Sequence, residues 1–351
     1  MRIVLFCENK YSINILSPIQ EEALKNTAHS VLWYVHTKNI PDFPLKSEVN
    51  WTDSIQKVYD YSPEAIFVPG NIVPYYLPGV KIQVFHGYAA EKKDHWVIRR
   101  YFDTYFTQGP FFTRGFQTLS QKYKDFEVKE TGWPRQDWIY NNLHTFDTEK
   151  QALLEKHNKS KLVLFAPTFS PSLTSLPHIK EGLVRLVREK DVLLILKFHP
   201  LTKKEWMDEY RELAIQHENM LWIEDHNITK YQLMADVMIS DTSSTVYEFL
   251  LLNKPVITYN TIAKEIYWID INDPQQLPEA FEKALHDEEY AEKRKWIIDN
   301  YDPYLDGKVC QRMLHAAEDY IVRKSVPAKR RLNLWRKYTS IKRFGKIKKS
   351  K

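Results

Sequence analysis

Three short stretches join an apolar run to residues able to handle protons or phosphate. Ile82–Phe85 runs into His86-Gly87, Val192–Phe198 into His199-Pro200, and Val237–Ser240 into Asp241-Thr242-Ser243-Ser244. A histidine titrates near neutrality, so it can take a hydroxyl proton or donate to an anion. Gly87 lets the backbone turn sharply beside His86, where a side chain would block a ligand. Pro200 biases His199 toward extended backbone. Ser243 and Ser244 open onto a helical stretch. Backbone N–H groups and the helix dipole favour an anion there, and two hydroxyls add donors. The same residues suit plain capping, because Ser and Asp are preferred at helix N-termini. Asp241 fits either a cap or a carboxylate that orients a histidine.

Two further turns carry charge. In Thr131-Gly132-Trp133-Pro134-Arg135-Gln136-Asp137, Arg135 suits bidentate phosphate binding. Arg135 and Asp137 equally suit tying that turn to a following helix. Asp306-Gly307-Lys308 is a turn with a charge at each end. Several signatures are missing: a G-x-x-x-x-G-K-[ST] phosphate loop, a G-x-G-x-x-G fingerprint, an H-E-x-x-H metal helix and a G-x-S-x-G nucleophile elbow. P-loop kinase, dehydrogenase, zincin and serine hydrolase readings lose weight accordingly. Two cysteines, Cys7 and Cys310, make neither a disulfide framework nor a zinc site. The expectation is a cytoplasmic enzyme with no metal and no cofactor.

The elements that position these residues alternate along the chain. Strands are expected at Arg2–Cys7, Ser30–Val35, Ala65–Val68, Ile82–Phe85 and Thr104–Thr107. A second series runs through Lys161–Ala166, Val192–Phe198, Met220–Ile223, Val237–Ser240 and Val256–Tyr259. Helices are expected after Ser17-Pro18, near Glu91–Arg100 and Phe111–Lys122, and between the later strands. Near-continuous apolar strands with helical crossovers imply parallel sheets covered on both faces. The fold class is α/β, with two doubly wound domains and ligands at the carboxyl ends of their strands, in a cleft between them. The expected division is 1–145, then 146–322 with Gln311–Val322 as a closing helix, then a tail at 323–351. A length of 351 residues fits two domains, and 43% hydrophobic with 27% charged residues excludes a disordered or collagenous chain. No apolar run reaches the ~18–20 residues of a membrane-spanning helix, and the start does not read as a signal peptide.

Charge is unevenly distributed. Residues 323–351 hold 13 Lys and Arg and no Asp or Glu, leaving 37 Lys and Arg against 45 Asp and Glu elsewhere. Leu334, Tyr338 and Ile341 share a helical spacing, with Trp335 beside them. A basic amphipathic helix of this kind suits an anionic membrane surface, each basic residue adding ~1 kcal/mol. A solvated tail is the plain alternative. The acidic body and the lack of a recognition motif argue against nucleic acid as partner.

Taken in order, six stretches resemble the CDP-glycerol glycerophosphotransferase family, which builds teichoic-acid-type polyol-phosphate chains. They are Val84-Phe85-His86-Gly87, Thr131-Gly132-x-Pro134-Arg135-x-Asp137, Lys197-Phe198-His199-Pro200, Ile239 to Ser244, Lys254-Pro255-Val256-Ile257 and Asp306-Gly307-Lys308. The resemblance implies a GT-B fold and a CDP-activated polyol donor, most simply CDP-glycerol. It implies a glycan or lipid-linked acceptor whose hydroxyl attacks phosphorus, with CMP leaving. His86 would be the base and His199 would contact the donor pyrophosphate. Ser243, Ser244 and Asp306–Lys308 would hold donor phosphates, with Gly87, Arg135, Lys197, Asp241 and Thr242 also on the substrate side. The enzyme would work at the inner face of the cytoplasmic membrane, through 323–351. After His-Gly the family typically reads Thr-Pro-Leu-Lys, whereas here Tyr88-Ala89-Ala90-Glu91 precedes Lys92-Lys93. That departure bears on the acceptor. Alternatives on the same architecture are a nucleotide-sugar glycosyltransferase and a UDP-sugar 2-epimerase.

Overall fold

Apolar runs of four to six residues, punctuated by amphipathic helices, become the strands of two all-parallel sheets. A computed structural model describes residues 1–348 except 89, 91–92, 226 and 325–331. Lys92, which with Lys93 stands where the family has its basic residue, lies outside the described residues, as does the Pro327 that precedes the basic helix. The first sheet holds β1 (Arg2–Cys7), β2 (Ser30–Val35), β3 (Trp51–Thr52), β4 (Ala65–Val68), β5 (Val80–Gln83), β6 (Thr104–Thr107) and β7 (Glu127–Glu130). The second holds β8 (Lys161–Phe165), β9 (Val192–Leu196), β10 (Met220–Trp222), β11 (Val237–Ser240), β12 (Val256–Tyr259) and β13 (Ile269–Ile271). Spatial orders are 3-2-1-4-5-6-7 and 10-9-8-11-12-13. Both reverse direction beside their first strand, β1/β4 in one sheet and β8/β11 in the other. The crevice at such a reversal, at the carboxyl ends, is where open α/β sheets take ligands.

The chain divides into a first unit of 1–141 with 300–351 and a second of 142–299. Sequence order suggested 1–145 and 146–322. The difference comes from helix Val309–Arg323, which buries Val309, Cys310, Met313, Leu314, Ala317 and Tyr320. Asp137 receives the amides of Val309 and Cys310 at 2.8 and 2.7 Å, fixing the start of that helix to the first unit. A helix, Asp147–His157, begins just past the expected boundary at 145/146.

Residues 332–348 are not a free tail. Helix Leu334–Phe344 is capped by Asn333, and Leu332 and Phe344 enter the apolar core of the first unit. Phe344 meets Phe6 edge-on at 5.4 Å, Arg343 pairs with Glu8, and Tyr101 Oη donates to Arg336 O at 3.0 Å. Leu334, Trp335 and Tyr338 remain 83%, 73% and 56% exposed.

Two helix expectations change. The first helix begins at Tyr11 and carries Pro18 inside it. Ser12, Ile15, Leu16, Ile19 and Ala23 form one buried stripe, and that packing outweighs the ~3 kcal/mol cost of an internal proline. Near Glu91–Arg100 there is only a 3-10 turn, Lys93–Trp96. Its His95 and Trp96 rings pack against Phe112 and Phe116, so tertiary contacts rather than helical periodicity fix it.

Candidate functional site

In the first unit, β5 stops at Gln83, two residues short of the strand end expected at Phe85. Phe85 has φ +59°, a left-handed conformation rare for an L side chain. His86 is exposed at the top of this turn. Its Nδ1 lies 3.3 Å from Pro69 O, just past the end of β4. A carbonyl only accepts, so Nδ1 carries the proton in the neutral ring and the basic lone pair sits on Nε2. Gln108 Nε2 donates to Gly87 O at 2.9 Å, holding the turn from below.

Two residues not singled out in the sequence lie on the segment just after β1. The Tyr11 ring lies 5.4 Å from that of His86, centroid to centroid. Glu8 directly follows β1 at the strand reversal and is 3% exposed. A Cβ at Gly70, across the crevice, would come within 3.1 Å of Glu8 Oε2. Burial pushes the Glu8 carboxyl up to about 6, against the opposing pull of Arg343. The signal for Glu8 was a lone acid closing an apolar strand, which its neighbours do not distinguish from a surface residue.

In the second unit, His199 follows β9 and is exposed. Its Nδ1 accepts the Leu201 amide at 3.1 Å, so the neutral ring keeps its proton on Nε2. Burial, then the charge of Lys197, holds its pKa below the ordinary value. The ring stacks on Phe169 at 4.4 Å, a partner from the loop after β8 that the sequence did not reveal. These contacts assign opposite tautomers to the two neutral rings, Nδ1–H in His86 and Nε2–H in His199.

Asp241 settles between its two readings by doing neither. It is fully buried and accepts Thr168 N, Ser175 N and Ser175 Oγ at 2.8, 2.9 and 3.0 Å. It therefore ties the loop after β8 to the end of β11, across the reversal of the second sheet. Burial pushes its carboxyl up to about 6, while these hydrogen bonds pull it down. Thr242 Oγ1 accepts the Ile262 amide at 3.1 Å. Ser243 Oγ accepts the Thr245 amide at 3.4 Å, and Ser244 is exposed at the N-cap position of helix Thr245–Leu250 without a side-chain capping bond. Lys197 is buried, with Nζ donating to Phe198 O at 3.2 Å.

The remaining candidates belong to the first unit, Ser243 and Ser244 to the second. Asp306-Gly307-Lys308 belongs to the first unit. Both Asp306 oxygens take Arg312, and Oδ1 also accepts the Lys308 amide. Gly307 has φ +69°, and a Cβ there would strike the Tyr140 ring at 2.7 Å. Arg135 opens helix Arg135–Asn142, its guanidinium 5.3 Å from the Trp133 ring. Through Asp137 and Tyr140 the Thr131–Asp137 and Asp306–Lys308 turns form one assembly, with Lys308 exposed on it.

A family model described as CDP-Glycerol:Poly(glycerophosphate) glycerophosphotransferase matches residues 16–268. Teichoic acid ribitol-phosphate polymerase TarL of Staphylococcus aureus is 25% identical over 231 residues, which are 59% of this chain and 39% of TarL. Matched stretches span 33–57% of the lengths of the curated relatives. The solved structure of the wall teichoic acid polymerase TagF aligns with TM-score 0.65 at 16% identity, over 92% of this chain and 89% of that one. S. aureus MnaA with UDP aligns with TM-score 0.70 at 13% identity, over 93% and 99%. At these identities the two structures bear out the GT-B-type architecture and nothing finer.

Proposed function

The chain belongs to the CDP-glycerol:poly(glycerophosphate) glycerophosphotransferase family, and from that premise we propose that it transfers a polyol phosphate from a CDP-polyol to an acceptor hydroxyl in cell-wall polymer synthesis. The observation that carries this reading is that each unit presents an exposed histidine just beyond the carboxyl end of a sheet strand, His86 after β5 and His199 after β9. His86 Nε2 takes the acceptor hydroxyl proton as the oxygen attacks the polyol-bearing phosphorus. The bond from that phosphorus to the bridging oxygen breaks, and CMP leaves with the electron pair. His199 Nε2–H donates to a pyrophosphate oxygen and so stabilises charge building there. Ser243, Ser244 and Lys308 offer further donors to phosphate, and Arg135 a bidentate one. Asp241 shapes the phosphate-side loop rather than touching the donor.

We also propose that helix Leu334–Phe344 rests on the inner face of the cytoplasmic membrane by Leu334, Trp335 and Tyr338. The support is their exposure beside Arg336, Lys337 and Lys342. Lipid-linked acceptors would be met at that surface.

The test is nucleotide release. With CDP-glycerol or CDP-ribitol and a membrane-derived acceptor, CMP is expected to appear in step with modified acceptor. His86→Ala is expected to cut the rate at least ~10²-fold. CDP as the product, or release untouched by His86→Ala, would contradict the reading.

A further inference from the structure

We propose that Asp302, acting through Tyr88, is a positioning residue for His86, an inference that rests on the reading of His86 as the base. The turn bearing His86 is an unfavourable one. Phe85 at φ +59° precedes it and Gly87 at φ +149° follows it. Such a backbone persists only where its surroundings over-determine it. Those surroundings come from distant parts of the chain. Trp133 Nε1 donates to Phe85 O at 3.4 Å. Tyr88 Oη lies 2.7 Å from Asp302 Oδ2, while Gln136 Nε2 donates to the same hydroxyl at 3.0 Å. Because the hydroxyl already accepts from Gln136, its own proton points at Asp302.

Asp302 is 2% exposed and has two further donors, the amides of Trp133 at 3.0 Å and Tyr304 at 3.2 Å. One buried carboxylate therefore ties three segments together. They are the turn just past His86, the loop after β7 and the strand of chain returning to the first unit. A buried carboxylate is costly unless fully satisfied, and apolar packing would join the same segments without that cost. What the carboxylate adds is direction. It fixes Tyr88, two residues from His86, from one side, while Gln108 holds the intervening Gly87 carbonyl. The return of residues 300–351 thus completes the support beneath the base.

The experiment uses the full chain with isotopically labelled histidine, His86 being assigned by its loss in His86→Ala. Tyr88→Phe removes only the hydroxyl, and Asp302→Asn replaces one carboxyl oxygen by an amide. Both are expected to shift and broaden the His86 ring resonances while those of His199 stay in place. Ser54→Ala, which removes the cap of helix Ile55–Tyr61, is expected to lower the melting temperature and leave His86 unmoved. Turnover is expected to fall ~10- to 10²-fold in Tyr88→Phe, with KM for CDP-glycerol unchanged. His86 resonances that overlay the wild type in a folded Tyr88→Phe protein would overturn the proposal. The ring readout needs no turnover. A His86→Ala protein that keeps full activity would instead sink the base assignment alone.

Discussion

At the scale of single residues, two histidines with different hydrogen-bond partners make different predictions. In the proposed mechanism His199 is an Nε2–H donor, and a glutamine amide can present an N–H near the same point. His199→Ala is therefore expected to weaken CDP-glycerol binding by the ~1.5–3 kcal/mol of a charge-assisted hydrogen bond, and His199→Gln to recover part of it. In the proposed mechanism His86 is the base, which glutamine cannot be, so His86→Gln is expected to be as slow as His86→Ala. Titration calorimetry for the first pair and initial rates for the second decide both. An active His86→Gln would contradict the assignment. Both histidines were legible in the sequence because each directly follows an apolar run that overlaps its strand. Glu8, Tyr11 and Phe169 were not, because strand order rather than chain order brings them there. Asp241 was found but its partners, Thr168 and Ser175, could not be, being more than sixty residues away.

At the scale of elements, legibility follows burial. Strands such as Arg2–Cys7 and Val237–Ser240 are buried on both faces and read as unbroken apolar runs. The two edge strands of the first sheet escaped notice, whereas β10 at one edge of the second was expected. Trp51–Thr52 is two residues long, and Glu127–Glu130 reads Glu-Val-Lys-Glu. Helix Asp147–His157 buries only Leu154, so no apolar stripe announced it. The helix Leu334–Phe344 was expected, but its docking through Arg343 to Glu8 was not. Glu8 binds its proton more tightly folded, at about 6, than at its ordinary 4.5. The stability this gives is present below pH 4.5 and is lost as pH rises through 6, by about 2 kcal/mol. Glu8→Gln removes that dependence. In urea unfolding across this window, wild-type stability relative to the variant is expected to fall as pH rises. A difference that stays level or grows would contradict the buried placement.

At the scale of the whole molecule, the chain crosses back from its second unit to finish the first. Sequence order alone could not show this, because helix Val309–Arg323 follows the second series directly. The crossing changes how membrane association is best tested. Truncation before Leu332 would also take Leu332 and Phe344 from the core, and losing a buried phenylalanine alone typically costs ~3–5 kcal/mol. Replacing Leu334, Trp335 and Tyr338 together with serine leaves the core intact. That variant is expected to keep its melting temperature and lose sedimentation with phosphatidylglycerol vesicles; full retention on the vesicles would contradict the membrane role. The central claim, a CDP-polyol donor on a fold shared with UDP-binding enzymes, is tested most directly by ligand-induced thermal stabilisation. The panel is CDP-glycerol, CDP-ribitol, CMP, UDP and UDP-sugars, and it needs no acceptor. A ligand at ~100 times its dissociation constant adds ~2.7 kcal/mol to folding stability. The account predicts that CDP-polyols raise the melting temperature and that UDP and UDP-sugars do not. Stabilisation by UDP compounds alone would contradict it.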